Sequence, residues 1–314
     1  MLPDPRRRDR GDARCGRREH DARPRHDDPP APARGDRPVR RRRSARRDAA
    51  LTGREALMPE GDTVFRTARR LDEALAGAEV TRFDLRVPRF ATVDLTGQRV
   101  HAAVPRGKHL LLRIGDSTLH SHLRMDGAWF VYRAGERWRH PAFKVRAIVG
   151  TAEREAVGVD IAEVEVVPTR DESELVGYLG PDPLAADWDA AEAVRRLGAD
   201  TRSIHVALLD QRNVAGFGNE YAAELLFLRG ILPTTPTADV DVAALLDLGV
   251  RTIRANRDRR HRTFTGIDRP GQGTWVYGRA GRPCRRCGTL IRRGEQGADP
   301  TRERITFWCP RCQR

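Results

Sequence analysis

The chain has 314 residues, 39% hydrophobic and 32% charged, with 58 Lys and Arg against 44 Asp and Glu for a formal net charge of +14. That length accommodates one large domain or two ordinary ones and enough apolar surface for a sizeable core. No run of about 18 apolar residues could span a bilayer, and the N-terminus lacks an apolar signal core, so the expectation is a soluble, cytoplasmic protein with a polyanion as partner.

Residues 1–57 are Arg, Asp, Pro, Ala and Gly with almost no large apolar side chain before Leu51. Such a composition cannot bury enough surface to offset the entropy of ordering, and a disordered Arg-rich extension is expected. Its densest stretch, "RRRRSARR" from Arg40 to Arg47, reads either as a nucleic-acid-binding arm or as a by-product of Arg-rich coding. From Met58 the texture changes. "DTVFRTARRLDEALAG" places Val64, Ala68, Leu71 and Leu75 at helical spacing, with Asp62 or Thr63 as N-cap and Gly77 closing the segment.

Seven β-rich runs follow: "EVTRFDLRV", "RVHAAVP", "KHLLLRIG", "STLHSHL", "AWFVYR", "FKVRAIVG" and "EAVGVDIAEVEVV". Their length, β-branched content and intervening Gly and Pro predict an antiparallel β-sandwich over 58–180 with the first helix at its flank. After "LGPDPLAADW" four helical patterns begin at "DWDAAEAVRRLG", "SIHVALLDQ", "NEYAAELLFLRG" and "DVAALLDLGVRTIRANRDRR". Gly216 and Gly218 make a tight turn between the second and third. The expected organisation is therefore α+β, with a helical domain over 181–270 and a cysteine-rich end over 271–314.

Charge is uneven along this plan: residues 1–57 carry a net +8, residues 58–250 a net −6 and residues 251–314 a net +12. A basic end on a mildly acidic body favours a segment that meets phosphate. Four of the five cysteines lie in that end. Cys284-x2-Cys287 and Cys309-x2-Cys312 match the four-thiolate zinc pattern, against the alternative of two disulfides, which a cytosolic chain disfavours. Four thiolates leave no open position, so one structural Zn2+ is expected, clamping a β-hairpin whose arginines face a phosphate backbone. Cys15 is a bystander in the extension.

"MPEG" at Met58, "RGKHLLL", "SHLRMDG", "NVAGFGNEYAAELLF" and "CRRCGTLI…RITFWCPRCQR" appear in an order and spacing that resemble the formamidopyrimidine-DNA glycosylase and endonuclease VIII family, over Met58 to Arg314. "MPEGDTV" without a DPRRFG-like stretch resembles the endonuclease VIII branch. The resemblance implies a helix–two-turn–helix domain, a zinc β-hairpin and damaged DNA as partner, with no small-molecule cofactor and a monomer by default. It implies a DNA glycosylase and AP lyase that removes oxidised pyrimidines and cuts the strand by β,δ-elimination. The alternatives are a catalytically silent DNA-binding protein and an oxidised-purine enzyme.

By the same resemblance Pro59 is the nucleophile, which its chemistry permits only at a chain terminus. A peptide nitrogen has its lone pair delocalised into the carbonyl, whereas a free prolyl nitrogen is a secondary amine that can attack C1′. Translation from Met58 followed by removal of that methionine would expose it; an internal Met-Pro of no catalytic meaning is the alternative. Glu60 matches the carboxylate that assists sugar-ring opening as a proton donor, where an exposed Glu near a helix start is the bland reading. Lys108 matches the lysine that contacts phosphate and helps β-elimination. It is one of only two lysines, with Lys144, among 56 arginines, so a compact titratable amine was retained where Arg was the default.

Arg304 matches the hairpin arginine that binds the phosphate flanking the lesion and is assigned to δ-elimination. Asn219 matches a phosphate-gripping asparagine, with a plain helix cap as the alternative. His122 matches a further phosphate contact or is a buried strand histidine. Arg124, Met125 and Asp126 occupy the positions that fill the gap left by the flipped nucleotide, Met125 being a credible wedge. Asp126 and Thr63 depart from the family pattern, and no second loop carries the Arg and Phe wedges of the formamidopyrimidine branch.

Overall fold

The computed structural model describes residues 59–259, 261–296 and 304–314. The Arg-rich extension, Cys15 and Met58 lie outside the described residues.

Helix α1 (Gly61–Leu75) buries the predicted stripe of Val64, Ala68, Leu71 and Leu75. Its start differs from expectation. Glu60 is the N-cap residue, without a side-chain cap, and Asp62 lies within the first turn, buried. Asp62 serves an ion pair across the molecule rather than the helix end, as described below.

Eight strands follow where seven runs were read: β1 (Arg82–Leu85), β2 (Val100–Arg106), β3 (His109–Ile114), β4 (Ser117–His122), β5 (Ala128–Arg133), β6 (Val145–Gly150), β7 (Arg154–Val159) and β8 (Glu163–Pro168). The seventh run divides because Asp160 turns the chain with φ +50°, a conformation its short polar side chain tolerates. The strands form two antiparallel sheets, ordered β1-β6-β7-β5 and β2-β3-β4-β8. Leu110, Leu112, Ile114 and Leu119 of the second sheet meet Ala147, Val149 and Ala156 of the first, and α1 closes the same core.

A one-turn helix α2 (Glu172–Val176) was not foreseen, having no apolar stripe of its own. It is held by Glu172, whose carboxylate accepts from Arg113 at 2.7 and 2.8 Å. Four helices then match the four helical patterns: α3 (Ala190–Gly198), α4 (Ile204–Leu209), α5 (Asn219–Arg229) and α6 (Val242–Arg257). Helix α5 is buried on every side from Asn219 to Phe227, making it the axis of the second core. The chain ends in an antiparallel hairpin of β9 (Arg292–Gln296) and β10 (Arg304–Trp308) between the cysteine pairs. Among the described residues no helix is long and apolar enough to cross a membrane.

Candidate active site

Pro59 precedes α1 and is half-buried. Directly behind it, the chain of the sandwich half touches the helical half backbone to backbone: Gly61 N donates to Gly216 O at 2.9 Å. A Cβ on Gly61 would lie 3.0 Å from Gly216 Cα, and Gly216 itself holds φ +94°, so both glycines are required by the approach.

That approach buries Glu60 to 1% exposure. Its carboxylate caps α5 from outside the helix, Oε2 accepting Gly218 N–H at 2.6 Å and Oε1 accepting Glu220 N–H at 2.9 Å. These are two of the otherwise unmet donors of a helix N-terminus, where a negative charge is favoured. Burial raises the Glu60 pKa, and the charges of Arg262 and Lys108 oppose that rise. Lys108 reaches the same point from the β2–β3 turn. There Gly107 holds φ +57° and donates its N–H to Asp182 Oδ2 at 2.7 Å. A Cβ on Gly218 would lie 2.6 Å from Glu60 Cδ and 2.8 Å from Lys108 Nζ, so the bare glycine is what lets the carboxyl and the amine converge.

Beneath them Arg262 is buried with three carboxylates around it. Its Nε and Nη2 donate to Asp62 at 3.0 and 2.5 Å, and Nη1 donates to Glu220 Oε2 at 2.7 Å. The guanidinium also lies over the Tyr221 ring, 5.2 Å from its centroid. Burial alone would raise the Asp62 pKa, but the charge and hydrogen bonds of Arg262 win and hold it low. Glu220 goes the other way: burial pushes it up to about 7 against the pull of Arg262.

The four thiols of Cys284, Cys287, Cys309 and Cys312 have their Sγ atoms all within 4.8 Å of one another and form no disulfide. Pairs stand at 4.0 Å (Cys284 and Cys312) and 3.5 Å (Cys287 and Cys309). A tetrahedron of metal–sulfur bonds of about 2.3 Å has edges near 3.8 Å, so this donor set fits one metal ion.

Two regions of the chain match known domains: residues 58–167 the formamidopyrimidine-DNA glycosylase N-terminal domain, and residues 179–253 the H2TH domain of the same glycosylase. A probable endonuclease 8 2 of Streptomyces coelicolor is 53% identical over 262 residues, covering 82% of this chain and 94% of its own. The DNA-(apurinic or apyrimidinic site) lyase Nei2 of Mycolicibacterium smegmatis is 47% identical over 258 residues, 82% of this chain and 99% of its own. The chain belongs to the formamidopyrimidine-DNA glycosylase and endonuclease VIII family of DNA glycosylases and AP lyases. The Lactococcus lactis family member crystallised with abasic-site DNA superposes with a TM-score of 0.67 at 25% identity, over 81% of this chain and 99% of that one.

Within this family frame, Glu60 and Lys108 converge at Gly218, with Pro59 one residue before Glu60 in the chain. Asn219 opens α5, but its amide is engaged inside the protein: Oδ1 meets His205 Nε2 at 3.0 Å and Nδ2 donates to Ile305 O of β10 at 2.6 Å. The neighbouring amides of Gly218 and Glu220 serve Glu60. Arg304 opens β10 opposite Gln296. Its side chain lies outside the described residues.

His122 ends β4, half-buried, and its Nδ1 accepts Arg124 N–H at 3.2 Å. That bond assigns the ring proton to Nε2, the donor a phosphate oxygen needs. Burial first, then the charges of Arg124 and Lys108, lower its pKa to about 4, so it is neutral at physiological pH. Arg124 adopts φ +54° and pairs with Glu163, while Met125 stands 55% exposed beside it.

Sequence reasoning missed Asp62, Glu220 and Arg262. Arg262 was hidden in a basic run read as phosphate-facing. Glu220 did carry a signal, because with Glu224 it is one of two carboxylates i,i+4 in the otherwise apolar "NEYAAELLF"; Glu224 accepts three backbone N–H groups of residues 275–277, each at 2.8 Å.

Proposed function

We propose that this chain is a base-excision-repair enzyme that removes oxidised pyrimidines and then cuts the strand by β,δ-elimination, with Pro59 as nucleophile. The observation carrying this reading is the buried Glu60 carboxyl, one residue beyond Pro59, converging with Lys108 at Gly218. The Pro59 nitrogen, freed from its amide, bonds to C1′ as the glycosidic bond breaks and the base departs with the electron pair. That nitrogen loses its proton to water, and its lone pair then expels O4′, which takes a proton from Glu60, leaving an iminium ion with no proton on nitrogen between Pro59 and the opened sugar. Burial raises the Glu60 pKa, the direction that suits a proton donor. Lys108 holds the adjoining phosphate and assists β-elimination, Arg304 assists the δ step, and His122, Arg124, Met125 and Asn219 hold the DNA, Asn219 by exchanging its bond to the hairpin.

The four cysteines hold one Zn2+, which supplies only a tetrahedral anchor for the hairpin. Cys309→Ser is expected to lose that ion and loosen β9 and β10, read by native mass spectrometry and by protease cleavage within 288–308. We place the sandwich domain at 58–180, the helical domain at 181–270 and the hairpin domain at 271–314, acting as a monomer in the cytoplasm.

Borohydride trapping on abasic-site DNA tests the mechanism with two versions of the protein, one beginning at Met1 and one at Met58. A covalent adduct is expected only when Pro59 becomes terminal. Equal trapping by an intact chain from Met1 would refute Pro59 as nucleophile, and absence of an adduct from both would leave a DNA-binding protein. Faster excision of 8-oxoguanine than of thymine glycol would overturn the pyrimidine preference.

A further inference from the structure

The second sheet has a polar face turned away from the core. Leu110, Leu112, Ile114 and Leu119 point inward, so the alternate positions, His109 of β3 and His120 of β4, point to the other side. Both imidazoles are buried all the same, His109 against Tyr178 of the segment that follows α2. Strand register sets His122 opposite His109 and Glu165 of β8 opposite His120.

These groups are bonded in series. Glu165, as a carboxylate, only accepts, so His120 Nδ1–H donates to its Oε1 at 2.9 Å. His120 Nε2 is then an acceptor, taking His109 Nδ1–H at 2.8 Å, and His109 Nε2 accepts the Tyr178 hydroxyl at 3.0 Å. One carboxylate thereby orients every proton of the chain. Its two imidazoles are buried, whereas Tyr178 is 50% exposed and the Glu165 side chain 30%, so both ends reach solvent. Burial first, then His122 and His120, push the His109 pKa down to about 3, and burial, then the charge of Glu163, raise that of Tyr178. A neutral imidazole and a protonated phenol are what this order of donors requires.

Tyr178 and His122 both meet the His109 ring edge to face, with centroids 6.1 and 5.0 Å from it. The charges of Arg124 and Lys108 bear on His122, so the exposed hydroxyl stands among groups suited to a polyanion. A phosphate oxygen only accepts, and the Tyr178 proton is already spent on His109. Turning it outward would strand a buried acceptor. One added proton removes the conflict: arriving at the Tyr178 oxygen, it displaces the hydroxyl proton onto His109 Nε2, and His109 passes its Nδ1 proton to His120 Nε2. His120 becomes an imidazolium against Glu165, and Tyr178 keeps an O–H that faces out.

We propose that Tyr178 is a further phosphate contact beside His122, and that DNA binding there draws one proton into the chain, held on His120 against Glu165. The proposal rests on the glycosylase reading above and adds a residue to its DNA contacts. The other charges near the chain are largely paired: Arg124 with Glu163, Arg113 with Glu172 farther along the face, and Asp210, which bears on Tyr178, with Arg202 and Arg212. His109, at about 3, and His122, at about 4, stay neutral between about pH 6 and 8, so uptake in that range reports on His120.

Calorimetric titration of the full chain with a duplex carrying a tetrahydrofuran abasic analogue, in two buffers of different ionisation enthalpy, counts the protons taken up on binding. Net uptake is expected, with affinity rising as pH falls from about 8 to 6 at fixed ionic strength. Tyr178→Phe, which deletes one oxygen from a half-exposed ring, is expected to bind about tenfold more weakly at about pH 6 and to lose most of that uptake. His120→Gln accepts from His109 but holds no charge, and should lose the uptake as well. Equal uptake or equal affinity in Tyr178→Phe and the unsubstituted chain would overturn the proposal. An unsubstituted chain that binds the analogue duplex no better than undamaged duplex would instead overturn the glycosylase reading, so the two failures are distinct.

Discussion

Gly218→Ala is expected to reduce turnover on abasic-site DNA by about a hundredfold, the scale on which a displacement near 1 Å in a catalytic group acts, with little change in thermal stability. The backbone at Gly218 (φ −129°, ψ −163°) is extended and open to any residue, so the substitution brings no backbone strain. The damage is local. The new methyl would sit 2.6 Å from Glu60 Cδ and 2.8 Å from Lys108 Nζ. Lys108 is long and flexible and can shift its end aside, but Glu60 is fixed by the amides of Gly218 and Glu220 and can yield only by giving up one of them. Single-turnover kinetics beside a thermal melt would check this, and unimpaired turnover would show that the convergence of carboxyl and amine is incidental.

Arg262→Met should act on the fold itself, costing about 3 to 5 kcal/mol, because removing one partner of a buried ionic group strands the others. Three carboxylates, Glu60, Asp62 and Glu220, would lose the cation that lowers each of their pKa values. The pH dependence follows from the directions. In the unsubstituted protein Glu220 is raised to about 7, so its contribution is full below the ordinary carboxylate value and fades as pH rises through about 7. Asp62 is held low, so its contribution is present above its ordinary value and fades only as pH falls. Without Arg262 all three carboxyls shift upward, and the deficit in Tm relative to the unsubstituted protein should be larger at pH 8 than at pH 5. A deficit that does not grow with pH would show that the guanidinium contributes packing over Tyr221 rather than charge.

The strands and helices were legible because their periodicity and turn residues are local properties of the chain. The break at Asp160 was not, since one left-handed residue leaves no mark in a continuous β-rich run. Glu60 was found through the proline before it, but its partners are backbone amides 158 and 160 residues away, which have no side-chain signature. The same holds for Asn219, whose amide meets the carbonyl of Ile305. Arg262 is invisible for another reason: among 56 arginines, a buried one looks like its solvated neighbours. The cysteine cluster was the most legible feature, because two pairs at fixed spacing state both ligand type and count.

Glu60 belongs to the sandwich half, yet the groups that hold it, and the arginine beneath it, belong to the helical half. Hinge opening would therefore disarm the carboxyl before any secondary structure melts, making chemical competence a property of the closed geometry alone. A protein that scans undamaged duplex in a slightly parted form would carry its reactive groups in a safe state.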